Sequence, residues 1–331
     1  YRTFEEKSTA ISAFRIQRPG GSKDIHCLIA PISFSDEISG YILLQRLWEF
    51  DSDEKNLVSL CADFAGMMFR RITIQRELDS QYDRYKAEIA KVRKIQAAAL
   101  PDFTRVGGYD IAYTFLPAED ISGDFFDGFF LDESTYQIVL CDVSGHGMAS
   151  SYVGNEIRSL FRSVSRPELF PADTLAEVNK LLFMDIAEIN YFGTAIVCRF
   201  DLLSGDIVFA SAGHPPVVVY QEHDESHALY ESTGPLIGFF ESASFKQVVL
   251  HPSQGDCILL YTDGITETIS PITGELFGER RLVKYFSDSA TLQPREIIQE
   301  IIGNVYEFAE FTNQSDDITM ICIKKLGSPY A

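Results

Sequence analysis

With 331 residues the chain can bury more than one hydrophobic core, and 46% hydrophobic with 12% aromatic content excludes a disordered chain, which lacks the apolar surface to offset ordering entropy. A formal net charge of −20 repels a phosphate backbone, which argues against nucleic acid as a partner; the surplus carboxylates are either a solvated surface or partly gathered to hold divalent cations. Six widely spaced cysteines with no CxxC pair read as small core residues of a reducing cytoplasm, and no apolar run approaches the roughly 18 residues that span a bilayer, so a soluble cytoplasmic chain without membrane insertion is expected.

Two apolar runs, His26 to Phe34 and Gly40 to Leu47, flank the polar SDEIS and predict paired strands. Asp51 to Glu54 then supplies a cap and an acidic first turn for a long helix. From Leu57 apolar side chains recur every seven residues at Leu57, Phe64, Leu78, Tyr85, Val92 and Ala99, interrupted at Arg71, and Pro101 ends the pattern. Two readings stay open: one amphipathic helix lying on its own domain, or the seam of a parallel homodimer.

After Pro101 the pattern changes to short strand-like runs broken by glycines. Strands are predicted at Asp110 to Phe115, Tyr136 to Cys141, Gly193 to Phe200, Asp206 to Ala212, Pro216 to Gln221, Cys257 to Thr262 and Ile318 to Lys324, with helices at Met148 to Ser165, Pro171 to Ala187 and Gln293 to Phe308. Hairpin spacing such as RFDLLSGDIVFA points to antiparallel sheets with helices laid on them, an α+β fold.

Four acidic positions share one local pattern, an aspartate at the end of an apolar run or beside a glycine. They are Asp124 in ISGDFFDG, Asp142 in YQIVLCDVSGHG, Asp263 in CILLYTDGITE, and Asp316 beside Asp317 in NQSDDITMICI. Any one alone reads as a turn aspartate; four strand ends together could present oxygen ligands to one point. Hard cations such as Mg²⁺ and Mn²⁺ take such ligands, and a metal pair can activate water without a side-chain nucleophile. Eighteen residues separate Asp124 from Asp142, the span of a hairpin that folds both to one edge. In a strand the side chains of Asp316 and Asp317 point to opposite faces, so only one is a direct ligand.

The run KIQAAALP, SGDFFDGF, VLCDVSGHGMAS, FGTAIVCRFDLLSGDIVFASAGHPP, GPLIGF, LLYTDGITET and SDDITMICI, in this order from about Lys94 to Lys325, resembles the metal-dependent protein phosphatases (PPM type) of the bacterial stage II sporulation protein E branch. The resemblance implies an antiparallel β-sandwich flanked by helices over residues 101–326. It implies a serine/threonine phosphoprotein phosphatase using two ions of Mn²⁺ or Mg²⁺ per active site. Asp142 would bridge both ions with the carbonyl of Val143 as a further ligand, Asp124 would bind the second ion, and Asp263 and Asp316 the first, Asp316 being chosen over Asp317 by its place in DDIT. A hydroxide between the ions would attack phosphorus, and the substrate would be a phosphorylated anti-sigma-factor antagonist. His146 is open to proton transfer or, more simply, to loop packing or capping. His214 reads as part of a structured turn, and Arg158 and Arg162 as solvent-facing.

Residues 1–70 resemble the C-terminal, α/β part of a GAF-type sensor, and 71–100 a helical linker with a coiled-coil pattern through which a homodimer would form and complete the metal site. The sensor's pocket would be incomplete, so the chain is expected to be a piece of a longer protein. Two rival classes are a catalytically dead binding module with the same fold and another two-metal phosphoryl-transfer hydrolase; against a nucleotide cyclase, no GGDEF-like run or basic triphosphate clamp is present.

Overall fold

The computed structural model describes residues 12–16, 24–34, 37–101, 105–145, 147–186, 191–312 and 314–327. His146 lies outside the described residues. The chain divides into two compact units, Tyr1–Glu88 and Ile89–Ala331, so the division falls within the long helix rather than at its end.

In the first unit β1 (Ser12–Ile16), β2 (Ile25–Phe34) and β3 (Glu37–Arg46) form an antiparallel sheet in that order. The helix α1 (Ser52–Ala99) starts where the sequence supplies a reciprocal cap: the Glu54 amide donates to Asp51 Oδ1 and the Asp51 amide to Glu54 Oε2. Leu57, Phe64, Leu78 and Tyr85, on the seven-residue register, are all exposed along α1.

The second unit holds two antiparallel sheets. One contains β4 (Arg105–Val106), β5 (Tyr109–Leu116), β10 (Val217–Gln221), β11 (Ser226–Tyr230), β13 (Cys257–Tyr261) and β14 (Ile318–Lys325), in the order β11-β10-β13-β14-β5-β4. The other contains β6 (Phe125–Phe130), β7 (Thr135–Val143), β8 (Gly193–Asp201), β9 (Ile207–Ala212) and β12 (Val248–Leu250), in the order β12-β9-β8-β7-β6. Alternation along each strand sends one set of side chains between the sheets, where Tyr109, Ile111, Leu260 and Ile321 meet Phe126, Leu140, Phe200 and Phe209. The opposite sets are buried beneath helices.

On the outer face of the first sheet α4 (Gly278–Ser289) and α5 (Pro294–Phe308) cover Leu259, Tyr261 and Met320 with Leu282, Phe286, Ile297 and Ile301. On the outer face of the second, α2 (Met148–Val164) and α3 (Pro171–Ile186) cover Val139, Cys141, Ala195 and Val197 with Ile157, Phe161, Leu175 and Val178. The result is a helix-sheet-sheet-helix sandwich, the α+β class expected from the strand patterning. Burial on both faces explains why central strands such as CILLY are continuously apolar. Each fully buried Phe or Leu contributes about 1.5–3 kcal/mol, so the sandwich gives a stiff frame for the loops at its edge.

Candidate active site

The sandwich brings strand ends from both sheets together. Asp142 is near the end of β7, Asp263 follows β13 by two residues, and Asp316 precedes β14 by two. These three line one cavity of about 240 Å³ with Val143, Ser144, Gly145, Phe192, Gly193, Thr194 and Ser315. Close approach of the two loops from the first sheet depends on Gly264, since a Cβ there would lie 2.1 Å from the Asp317 carbonyl oxygen.

Asp124 arrives by the hairpin expected from its spacing: β6 pairs with β7 so that Phe125 stands opposite Cys141. It does not line the cavity. Its buried carboxylate accepts from Thr262 Oγ1 at 2.9 Å and Thr319 Oγ1 at 2.5 Å, near enough to Asp142 for the two carboxylates to repel.

The electrostatics follow from this crowding. Burial, then repulsion from Asp263 and Asp316, pushes the Asp142 carboxyl up to about 7. Burial, then Glu267 and Asp316, pushes Asp263 up to about 6, and burial, then Asp142, raises Asp124. Such a cluster is short of positive charge. The donors facing the cavity are carboxylates with a backbone strand end, a set that fits Mg²⁺ or Mn²⁺ and not a thiolate-preferring ion. Among the described residues no three acidic, histidine or cysteine side chains are gathered tightly enough to enclose a metal.

The neighbouring aspartates Asp316 and Asp317 differ in their surroundings. Asp317 is 5% exposed and both its oxygens are taken, Oδ1 by the amide of Ala118 and Oδ2 by that of Gly123, each at 2.8 Å. Asp317 therefore staples the loop that leads into Asp124. Asp316 faces the cavity and uses Oδ1 to accept the Asp317 amide.

A second staple reaches the same loop from α1: Gln96 Nε2 donates to the Ser122 carbonyl at 2.8 Å and the Ser122 amide donates to Gln96 Oε1 at 3.3 Å. His214 is buried against Thr194 of the cavity wall, Nδ1 to Oγ1 at 2.6 Å, and burial holds its imidazole down at about 3, hence neutral. Arg158 and Arg162 do not project freely into solvent as the sequence suggested. Both turn onto Asp127, which is 1% exposed, at 2.9 and 2.6 Å, and Arg158 also donates to the Ala99 carbonyl at the end of α1. An unneutralised carboxylate at that depth would be costly, and the two guanidinium groups, one turn apart in the C-terminal half of α2, supply the missing charge.

A four-layer sandwich with acidic strand ends at one edge is the architecture of the PP2C-type phosphatases. Residues 132–326 match the family model described as stage II sporulation protein E (SpoIIE), and the chain belongs to that family. Among curated relatives it is 30% identical to protein IcfG of Synechocystis sp., covering 72% of this chain and 41% of that protein. It is 28% identical to phosphoserine phosphatase RsbP of Bacillus subtilis, covering 72% and 58%, and 26% identical to phosphoserine phosphatase RsbU of the same organism, covering 65% and 63%. The chain thus spans about half the length of these relatives. Among solved structures the SiaA PP2C domain of Pseudomonas aeruginosa superposes with a TM-score of 0.65 at 19% identity, over 74% of this chain and 98% of that one. The RsbU and RsbW domains of Rv1364c from Mycobacterium tuberculosis give 0.56 at 24%, over 69% and 62%. These likenesses establish the fold.

Proposed function

We propose that the chain is a metal-dependent phosphoprotein phosphatase that hydrolyses phosphoserine or phosphothreonine, using two ions of Mn²⁺ or Mg²⁺. The observation that carries this reading is the convergence of Asp142, Asp263 and Asp316 with Val143 on one cavity, with the Asp124 carboxylate buried near enough to Asp142 to feel its charge. Asp142 would contact both ions, Val143 would add its carbonyl, Asp263 and Asp316 would hold the first ion and Asp124 the second. The ions, when bound, supply the charge that activates water toward phosphorus and neutralises the phosphoryl oxygens. The chain supplies position. The β7–β8 ladder sets Asp142 opposite Thr194, and Thr262 and Thr319 orient Asp124 by their hydroxyls.

The substrate we propose is a phosphorylated anti-sigma-factor antagonist, the class that the family resemblance implies; two of the relatives are named phosphoserine phosphatases, which supports phosphoserine as the group hydrolysed. Residues 1–70 are proposed as part of a GAF-like sensor, 71–100 as a linker and 101–326 as the phosphatase domain. The exposed seven-residue stripe on α1 supports a homodimer formed through that helix. Among the described residues no helix is long and apolar enough to cross a membrane.

The test is phosphate release from a phosphoserine protein with Mn²⁺ present or chelated, using Asp142→Asn as control. Release that needs both Mn²⁺ and Asp142 is the expected result. Preferential hydrolysis of nucleotides would favour another two-metal hydrolase, and no activity in either protein a binding module.

A further inference from the structure

The cavity rim carries an aromatic ridge. Phe192, in the cavity wall, packs edge-to-face on Phe239 at 5.6 Å between ring centres, and Phe239 on Phe240 at 4.8 Å. Phe239 and Phe240 remain 51% and 52% exposed. A single exposed phenylalanine is ordinary; three in contact, opening into a polar cavity, form a surface that water solvates poorly.

Hydrogen bonds fix this ridge relative to the carboxylates. The Ser144 amide, two residues beyond Asp142, donates to the Phe192 carbonyl at 2.9 Å. Gly193 and Ile237 exchange a pair of backbone hydrogen bonds, each 3.0 Å. Asn179 of α3, itself buried, then locks the loop: its Oδ1 accepts the Gly238 amide at 2.9 Å and its Nδ2 donates to the Phe240 carbonyl at 3.0 Å. The backbone that carries the rings is thus held in place before any partner arrives, so binding would forfeit little backbone ordering entropy.

The cavity's volume of about 240 Å³ has room for a phosphorylated side chain but not for a folded protein, so the flanking residues of a protein substrate must lie on the rim. A chain of net charge −20 has no long-range attraction for a phosphoprotein. Local apolar contact is left to supply affinity. We infer that Phe192, Phe239 and Phe240 form the docking surface for apolar residues flanking the phosphoserine of the substrate protein. This rests on the phosphatase reading, and the test separates the two.

The probes are p-nitrophenyl phosphate and two phosphoserine peptides of equal length and charge, one with leucine and valine beside the phosphoserine, the other with serine and asparagine. With Mn²⁺ present the full chain should favour the apolar peptide by roughly tenfold in kcat/KM, the scale of one aromatic anchor. Phe239→Ala, Phe240→Ala and the double variant should remove that preference through KM and leave p-nitrophenyl phosphate within about twofold. Fluorescence anisotropy of the unphosphorylated peptides gives a readout independent of turnover, and thermal melts establish that the variants fold.

Tighter binding of the apolar peptide, lost in the double variant, supports the ridge even if no phosphate is released, an outcome that would sink the phosphatase reading alone. Hydrolysis and binding indifferent to the flanks, or a preference surviving in the double variant, would overturn the inference. So would a double variant that changes only its sedimentation, since the ridge would then contact a second copy of the chain.

Discussion

Replacing Asp317 tests whether two adjacent carboxylates have opposite duties. Its oxygens accept the amides of Ala118 and Gly123 at 2.8 Å, and the residue is 5% exposed, so water cannot take over either bond. Hydrogen bonds to a charged acceptor are worth about 1.5–3 kcal/mol each, and an orphaned buried donor costs about 1–3 kcal/mol. Recovered hydration of the carboxylate offsets part of the sum, leaving an expected loss of about 2–4 kcal/mol for Asp317→Ala. Asp317→Asn keeps one acceptor but turns an NH₂ toward the other amide, with about 1.5–3 kcal/mol expected. Asp316→Asn, half-buried at the cavity, removes a charge that repels Asp142 and Asp263 and should not lower metal-free stability. Urea unfolding of the metal-free proteins gives the comparison, and hydrogen exchange at Ala118 and Gly123 shows whether the loop opens locally. An Asp317→Asn protein within about 0.5 kcal/mol of wild type, with both amides still protected, would refute the reasoning.

The raised carboxylates make metal-free stability pH-dependent. Asp142 and Asp263 have folded values of about 7 and 6, above the roughly 4 of an unfolded aspartate, so their cost is absent below that value and grows as pH rises toward 7. The melting temperature of the metal-free protein should therefore fall between about pH 4 and 7 more steeply than that of Asp142→Asn; equal slopes would contradict this. Gln96→Ala should cost about 1–2 kcal/mol through the two lost Ser122 bonds, and should raise exchange at the Ser122 amide. Changing Leu57, Phe64, Leu78 and Tyr85 to serine should convert a dimer to a monomer in sedimentation, whereas a wild-type monomer would rule out the helix seam.

The strands of the sandwich were legible because burial on one or both faces leaves period-two or continuous apolar runs, and the site aspartates because each sits where such a run meets a turn. β6 was not read as a strand: FFDGFF carries a turn-like Asp127 and Gly128, and the strand exists because Asp127 finds Arg158 and Arg162 from α2. α4 escaped for a related reason, its buried face being confined to Leu282, Val283 and Phe286 among charged residues. The staples were invisible for another cause. Asp317 meets amides almost 200 positions away, and Thr262 and Thr319 look like ordinary strand threonines until the β13–β14 pairing puts both hydroxyls on Asp124. No local pattern encodes a contact that only the closed sandwich creates.

Calorimetric titration of Mn²⁺ into the metal-free protein tests the central claim most directly, because it asks whether these carboxylates hold metal without requiring a substrate. Two ions per chain are expected for wild type, with binding lost or reduced to one weak site in Asp142→Asn. No saturable binding, or the same two ions in Asp142→Asn, would contradict the account.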